Sequence, residues 1–395
     1  MKTVIRVFSE GFRFFFLAAG LFGVFAGVVW GLWLWAQASG DYGADTSYAM
    51  APHLWHGHEM IFGYATAAMG GFFLTAVPNW TGTPNARAQF IAFAALLWLS
   101  GRLAMWYSGL LPPVVVALAD LAFIPVLAAK IASQLIRRPK PQNMVFLGFL
   151  TLLWVSNLFT HLEWVGVTDA TLATGLRGGL ITLCALISIL GGRVTPAFTR
   201  NAMKREGEPE ASWPASIAPV EKAAIGLALG LPFLILLDLP WPVAPIVALI
   251  MGLVQIIRLA QWRWRWALRQ PILIALHIGL AMLALGLILW GLAGLGIGDE
   301  IAALHVLGIG CVGGMTLAVM SRAVLGHSGR PLVAPTPVAW GYGLIATAAG
   351  MRWLGAGDLG LGYYPVMLAA AALWTLAFAL YVISLWSALT APRGS

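Results

Sequence analysis

Apolar stretches of about twenty residues recur along the whole chain, and this pattern constrains the fold more than any single motif. Of the 395 residues, 60% are hydrophobic and only 10% are charged. Each stretch is long enough to cross the ~30 Å hydrocarbon core of a bilayer as a helix. Because no water is present there to pair with backbone N–H and C=O groups, a helix must satisfy them within each span. The sequence therefore predicts an all-α, polytopic membrane bundle in contact with the lipid bilayer.

The hydropathy pattern predicts twelve transmembrane helices, with no soluble domain between them. We expect residues 1–395 to form a single transmembrane domain. The predicted spans are 11–36, 53–77, 88–108, 112–135, 143–165, 171–195, 219–238, 240–259, 268–294, 301–325, 335–355 and 363–389.

The distribution of positive charge predicts the orientation. Of the 23 Lys and Arg residues, all but Arg102, Arg177 and Arg352 lie on the termini or loops that share one side of a twelve-span arrangement. The positive-inside rule places that side, and both termini, in the cytoplasm. Basic loops beside a membrane account for the net charge of +8, so we predict no nucleic-acid partner.

The chain also contains an internal similarity. A shift of 247 residues places His58 on His305 and Gly63 on Gly310, which indicates that helices 2 and 10 are copies. The end of helix 6, at 193–200, aligns with 75–82 and extends the similarity to three four-helix units in a pseudo-threefold arrangement. Chance similarity among spans rich in Gly and Ala is the alternative. The predicted repeats are about 11–135, 143–259 and 268–389.

Histidines are concentrated where helix 2 begins, in the run HLWHGHEM. Helical geometry places His53, His56 and Met60 within about 60° of one another, whereas His58 points about 160° away from His56. Two imidazoles and a thioether are suited to copper, and His161, near the same face of the membrane, could complete the site. The alternative is a group of loop or interfacial histidines.

A second predicted site consists of His58 and His305, which lie at similar depths below the non-cytoplasmic face. Two imidazoles facing each other are suited to axial ligation of heme iron. No CxxCH motif for covalent attachment occurs in the chain, so the heme is expected to be heme b. Arg102, Arg177 and Arg352 lie near the same depth and are candidates to bind the heme propionates. The alternatives are hydrogen-bonded structural histidines and arginines that extend to the membrane surface.

Other polar and sulfur-containing residues have simpler interpretations. His277, inside helix 9, marks a proton path, a second ligand set or a packing hydrogen bond, and the last is favoured. His327 is expected to be a loop residue. Cys184 and Cys311 are expected to be buried thiols.

Three segments, 51–82, 191–203 and 305–329, resemble the NnrS family, and the resemblance extends over essentially the whole chain. It implies a twelve-span bacterial inner-membrane protein that carries heme and copper and is associated with denitrification and resistance to nitric oxide stress. The architecture is also similar to the catalytic subunit of heme-copper oxidases and nitric oxide reductases. Helix 6 has no histidine and helix 7 has no adjacent histidine pair, so the binuclear centre of that superfamily is not carried over.

These observations leave more than one function open. The favoured hypothesis is a heme b and copper protein that binds or converts nitric oxide, or relays electrons from a donor. The alternative is a transporter of metals or small molecules, although acidic residues mostly avoid the membrane centre and Asp120 is the chief exception. A sensor acting through the 197–219 loop is a third, weaker hypothesis.

Overall fold

The computed structural model describes residues 6–41, 46–357, 360 and 362–393, and in this part of the chain all regular secondary structure is helical. The pattern of long apolar segments is the physical reason, since a helix pairs its backbone groups within the segment. The long helices are α1 (Gly11–Ala38), α2 (Pro52–Thr81), α3 (Ala88–Trp106), α4 (Pro113–Leu135), α5 (Pro141–Trp164), α6 (Leu172–Arg205), α7 (Ala218–Leu236), α8 (Val243–Gln261), α9 (Pro271–Gly294), α10 (Glu300–His327), α11 (Thr336–Leu354) and α12 (Tyr363–Thr390).

Eleven of these helices are long and apolar enough to cross a membrane. They coincide with eleven of the predicted spans, so the prediction of an all-α, multi-pass membrane protein is confirmed. The remaining predicted span, 335–355, coincides with α11, which is a helix but is not among the eleven.

Three of the long helices are interrupted. In α2 the residues Glu59–Tyr64 form a π-helical segment, and in α10 the residues Val306–Gly313 do the same. Each segment begins directly after one of the two histidines that the internal similarity aligns. Helix α4 is divided at Ala122 into two α-helical pieces. Such π segments are rare and often occur at functional sites.

The chain forms two compact units. The first contains the residues up to Thr182, together with 323–331 and the chain from Tyr381 onward. Within it α1 packs tightly on α2, because Gly71 lies against the ring of Phe16, where a Cβ would come within 2.5 Å of the ring. Close approach through small residues is the usual way in which membrane helices pack.

The second unit contains Leu183–Arg322 and Leu332–Leu380. Here too glycines lie at helix contacts: a Cβ on Gly252 of α8 would lie 2.8 Å from the carbonyl oxygen of Ala284 on α9. Cys184 and Cys311 are both free and fully buried in this unit, as the sequence predicted.

Candidate metal centre

Four helices of the first unit bring six polar side chains together, and we call this group the His–Asp cluster. None of the six is more than 7% exposed. Charged groups in the interior of a membrane protein are costly unless they are paired, so such a cluster is a candidate functional site. Its members are His58 and Glu59 on α2, Arg102 on α3, Asp120 on α4, and Asn157 and His161 on α5.

His58 has oxygen atoms facing both of its ring nitrogens. Its Nδ1 lies 3.0 Å from Oε1 of Glu59. Its Nε2 lies 2.9 Å from Oδ1 of Asn157 and 3.3 Å from Oδ2 of Asp120. Since carboxylate and amide oxygens only accept hydrogen bonds, a neutral imidazole can satisfy one side but not both. The site therefore favours a proton or a metal ion at Nε2.

Asp120 is the centre of the cluster. Its Oδ2 accepts hydrogen bonds from Nδ2 of Asn157 at 2.7 Å and from Nε2 of His161 at 2.8 Å, and its Oδ1 accepts one from Arg102. Because the amide nitrogen of Asn157 faces Asp120, its amide oxygen faces His58. The close approach of α3 to α4 depends on Gly101, where a Cβ would lie 3.1 Å from the Cα of Asp120.

Arg102 joins the two carboxylates, because its guanidinium donates to both Glu59 and Asp120. The π segment of α2 makes room for it at Gly63, where a Cβ would lie 2.7 Å from Nη1 of Arg102. The indole N–H of Trp98 donates to the carbonyl oxygen of Gly63 at 3.0 Å and holds the same segment against α3.

The formal charges of the cluster do not balance. Glu59 and Asp120 contribute two negative charges, and Arg102 contributes one positive charge. With both imidazoles neutral, one buried negative charge remains without compensation. A buried uncompensated charge is strongly unfavourable, so the cluster requires one further positive charge, supplied by a proton or a metal cation.

The geometry fits a metal ion. One ligand atom from each of His58, Asp120 and His161 lies within 4.8 Å of the others. Two imidazoles and one carboxylate form a donor set used by zinc, copper and non-heme iron sites. The other ring nitrogen of His161, Nδ1, is buried without a hydrogen-bond partner. A ring nitrogen that is not committed to a hydrogen bond is compatible with a ligand role.

Comparison with known proteins identifies the family. The profile of the NnrS protein family matches residues 6–393, which is nearly the whole chain. The chain belongs to the NnrS family. No curated protein matches it individually. Membership confirms the resemblance seen in the sequence and fits a role in the response to nitric oxide.

The predicted copper ligands of this NnrS chain lie in different surroundings. His53 is exposed, and Met60 is partly buried. His56 stacks on the indole of Trp30, with ring centroids 4.3 Å apart. Among the described residues, the group of His, Cys, Asp and Glu side chains that could hold a metal is His58, Asp120 and His161. The structure thus joins His161 to His58, while a copper site at His53, His56 and Met60 stays a prediction.

The predicted heme ligands occupy separate units. In the first, both ring nitrogens of His58 face protein oxygens and the guanidinium of Arg102 pairs with protein carboxylates. Binding of heme iron by His58 would require its contact with Asn157 to be exchanged, and this role stays a prediction. Arg177, on α6, is partly buried, and its propionate role is likewise a prediction.

In the second unit, His305 has the tautomer expected of a metal ligand. Its Nδ1 donates to the carbonyl oxygen of Ile301 at 2.7 Å, so a neutral ring carries a lone pair on Nε2. Arg352 is within electrostatic reach of His305, and its Nη1 is buried without a hydrogen-bond partner. The Cα of Gly308, one turn beyond His305, faces open space. These features fit a histidine that would bind heme iron and an arginine that would pair with a propionate.

Some members of the cluster were not predicted from the sequence as site residues. The sequence predicts no site role for Glu59 or Asn157, and it marks Asp120 only as an acid inside a span. One sequence signal could have found the two acids of the cluster: an acid within an apolar span needs a buried partner. The ring nitrogens of His277 lie 3.0 Å and 3.2 Å from the backbone carbonyl oxygens of Leu273 and Trp262, and donation to these carbonyls agrees with the favoured packing role.

Proposed function

We propose that this chain is a metal-dependent membrane protein of the nitric oxide response, with copper in the His–Asp cluster. The observation that carries the proposal is the convergence of His58, Asp120 and His161 in a buried cluster that lacks one positive charge. Imidazole ligands suit copper, which binds more tightly than the other divalent first-row metals to such sites.

The residues of the cluster then have distinct roles. His58, Asp120 and His161 would hold the ion. Asn157 and Glu59 would orient the ring of His58, and neighbours of this kind commonly raise the affinity of a metal site. Arg102 would offset the charge of the two carboxylates. Bound copper would supply one-electron chemistry and a coordination position for a small ligand such as nitric oxide.

Heme b belongs to the same proposal, in which His305 would bind the heme iron and Arg352 would pair with a propionate. The tautomer of His305 and the buried Nη1 of Arg352 support this assignment. A bound heme would supply electron transfer or a second position for nitric oxide. The sequence-based prediction that His58, Arg102 and Arg177 bind heme is the competing assignment, and it predicts that heme is lost in His58→Ala.

The proposed topology has twelve spans in a bacterial inner membrane, with α11 as the remaining span and both termini in the cytoplasm. Nineteen residues in α11 are long enough to cross the bilayer core. The π segments that follow His58 and His305 support the predicted relationship between α2 and α10. A single domain with three four-helix repeats is the arrangement that we propose from the sequence.

Metal analysis of the purified full-length protein tests the proposal. We expect bound copper to be lost in His58→Ala, Asp120→Asn and His161→Ala, while the absorption bands of heme persist. In His305→Ala we expect the reverse. His53→Ala, at an exposed position on the same helix, distinguishes this site from the copper site predicted at His53, His56 and Met60: copper should be retained if it lies in the His–Asp cluster and lost if the predicted site holds it. Copper retained by all three cluster variants would overturn the assignment of the copper site.

Transport of a cation is the second candidate function. Two observations favour it: a buried network of charges in the first unit, and the interruptions of α2, α4 and α10. Uptake assays in proteoliposomes distinguish the candidates. A transporter would move copper or protons across the membrane at a rate that depends on Asp120, whereas a resident metal centre would retain copper through extensive washing.

A further inference from the structure

A cavity of about 230 Å³ lies where three helices of the first unit end. It is separate from the His–Asp cluster and is lined by the turn after α2, the start of α3 and the end of α4. If α2, α3 and α4 cross the membrane in alternation, these ends all lie on one side, the side that carries the basic loops. The cavity is therefore at the level of the lipid headgroups.

The cavity is strongly basic. Arg87, Lys130 and Arg137 line it, and none of the lining residues within the described structure is acidic. The ammonium group of Lys130 lies over the ring of Phe90, 5.6 Å from its centroid, so this cation is held at the wall of the cavity. Three cations without a carboxylate favour an anionic ligand.

The first turn of α3 adds to this preference. The helix begins at Ala88 after Arg87, whose side chain makes no capping hydrogen bond. The first N–H groups of a helix have no partner within the helix and carry a partial positive charge. An oxyanion beside Arg87 and Phe90 would meet this end of the 19-residue helix.

Gln134 indicates that the ligand also donates a hydrogen bond. Its side chain is only 4% exposed, and its Nε2 donates to Oγ1 of Thr83 at 3.0 Å and to the carbonyl oxygen of Pro84 at 3.1 Å. These two bonds orient the amide and leave Oε1 buried without a hydrogen-bond partner. An acceptor in a basic cavity suits a ligand that has a hydroxyl group close to its negative charge.

We infer that this cavity binds the headgroup of an anionic phospholipid, with the phosphate on the three cations and a headgroup hydroxyl on Gln134. Phosphatidylglycerol has this combination of a phosphate diester and free hydroxyls. Free inorganic phosphate shares the same chemistry but lacks an acyl chain. Basic pockets between transmembrane helices on the cytoplasmic side are suited to such headgroups.

Lipid titration of the full-length protein in detergent tests the inference. Binding of short-chain phosphatidylglycerol, phosphatidylcholine and inorganic phosphate is measured by native mass spectrometry and by the unfolding temperature. We expect phosphatidylglycerol alone to bind at low concentration and raise the unfolding temperature. Equal effects of the two lipids would overturn the inference. Displacement of the lipid by millimolar phosphate, with equal stabilisation, would assign the cavity to the free ion instead.

Charge-matched variants locate the site. Lys130→Gln and Arg87→Gln each remove a cation that lines the cavity, and each is expected to weaken phosphatidylglycerol binding about fivefold. Arg138→Gln removes an exposed neighbouring cation that does not line the cavity and is expected to leave binding within about twofold. Equal losses of phosphatidylglycerol affinity in all three variants would mean that the basic surface attracts the lipid diffusely, and they would overturn the assignment of the lipid to this cavity. Arg87 is exposed, so its variant tests the site even if Lys130→Gln folds poorly.

Discussion

The side chains around Arg102 show how one buried residue can set the chemistry of its neighbours. A single guanidinium pairs with Glu59 and Asp120, so the cluster has one carboxylate more than it has fixed cations. The excess negative charge makes a bound cation favourable in an apolar interior. Metal affinity in this cluster should therefore depend also on Glu59, a carboxylate that would not itself contact the ion.

Glu59→Gln tests this dependence. The amide can still accept from His58 and Arg102, but the excess negative charge is gone, so we expect copper affinity to fall by roughly tenfold to a hundredfold. Affinity is measured by competition with a chelator on the purified protein. Glu210→Gln, at an exposed position in the segment between α6 and α7, is the control. Unchanged affinity in Glu59→Gln would contradict the charge argument.

Gly63→Ala tests the space that the cluster needs. The new Cβ would lie 2.7 Å from Nη1 of Arg102 and 2.8 Å from the ring of Phe22. We expect a loss of about 1–3 kcal/mol in the free energy of unfolding, together with lower copper content. Gly148→Ala on α5 is the control, because a Cβ there meets no atom within 4 Å. Equal unfolding temperatures for the two variants would show that α2 and Arg102 can move apart easily.

Among the helices that form the His–Asp cluster, α2 is the one whose π segment affects the cluster most directly. The π segment Glu59–Tyr64 changes the direction of the residues that follow His58, so a regular helical wheel does not describe this helix. Trp98 of α3 hydrogen-bonds to the carbonyl of Gly63 within the segment. Contacts between helices thus help to stabilise a local geometry that is unfavourable in an isolated helix.

Trp98→Phe should loosen the π segment. The substitution keeps an aromatic ring but removes the N–H donor, and we expect a cost of about 1 kcal/mol. Hydrogen–deuterium exchange should increase in residues 59–66 without a general increase in α2. Trp353→Phe, at a position that is 41% exposed, is the control. An unchanged exchange rate in residues 59–66 would mean that the segment does not depend on Trp98.

The topology of the whole chain depends on α11. Eleven spans would place the two termini on opposite sides of the membrane, and twelve would place them on the same side. Eleven of the described helices are long and apolar enough to cross a membrane, whereas the sequence predicts twelve spans and the distribution of Lys and Arg favours an even number. The location of the two termini therefore distinguishes the twelve-span arrangement that we propose from an arrangement of eleven spans.

Thiol labelling tests that location. Single cysteines at Ser9 and Arg393, in a chain whose Cys184 and Cys311 are replaced by Ala, are treated with a membrane-impermeant reagent in intact cells and in inverted vesicles. We expect both positions to be labelled only in inverted vesicles. Labelling of Ser9→Cys and Arg393→Cys from opposite sides would exclude α11 as a span.

Much of the fold could be predicted because hydropathy and helix formation are local properties. Eleven predicted spans coincide with helices of suitable length and composition, and the motif at the start of α2 indicated His58 as a candidate site residue. The partners of His58 could not be found in this way. Asp120, Asn157 and His161 come from two other helices, and sequence periodicity does not reveal which helix faces meet.

Local sequence therefore specified a helical membrane protein of the NnrS family and a histidine-rich helix within it. Packing specified the site, because a buried charge is stable only where other helices bring partners to it. The joining of His161 to Asp120, rather than to His53 and His56, is a result of that requirement. The π segment that begins after His58 is likewise a feature that a regular periodicity of 3.6 residues does not anticipate.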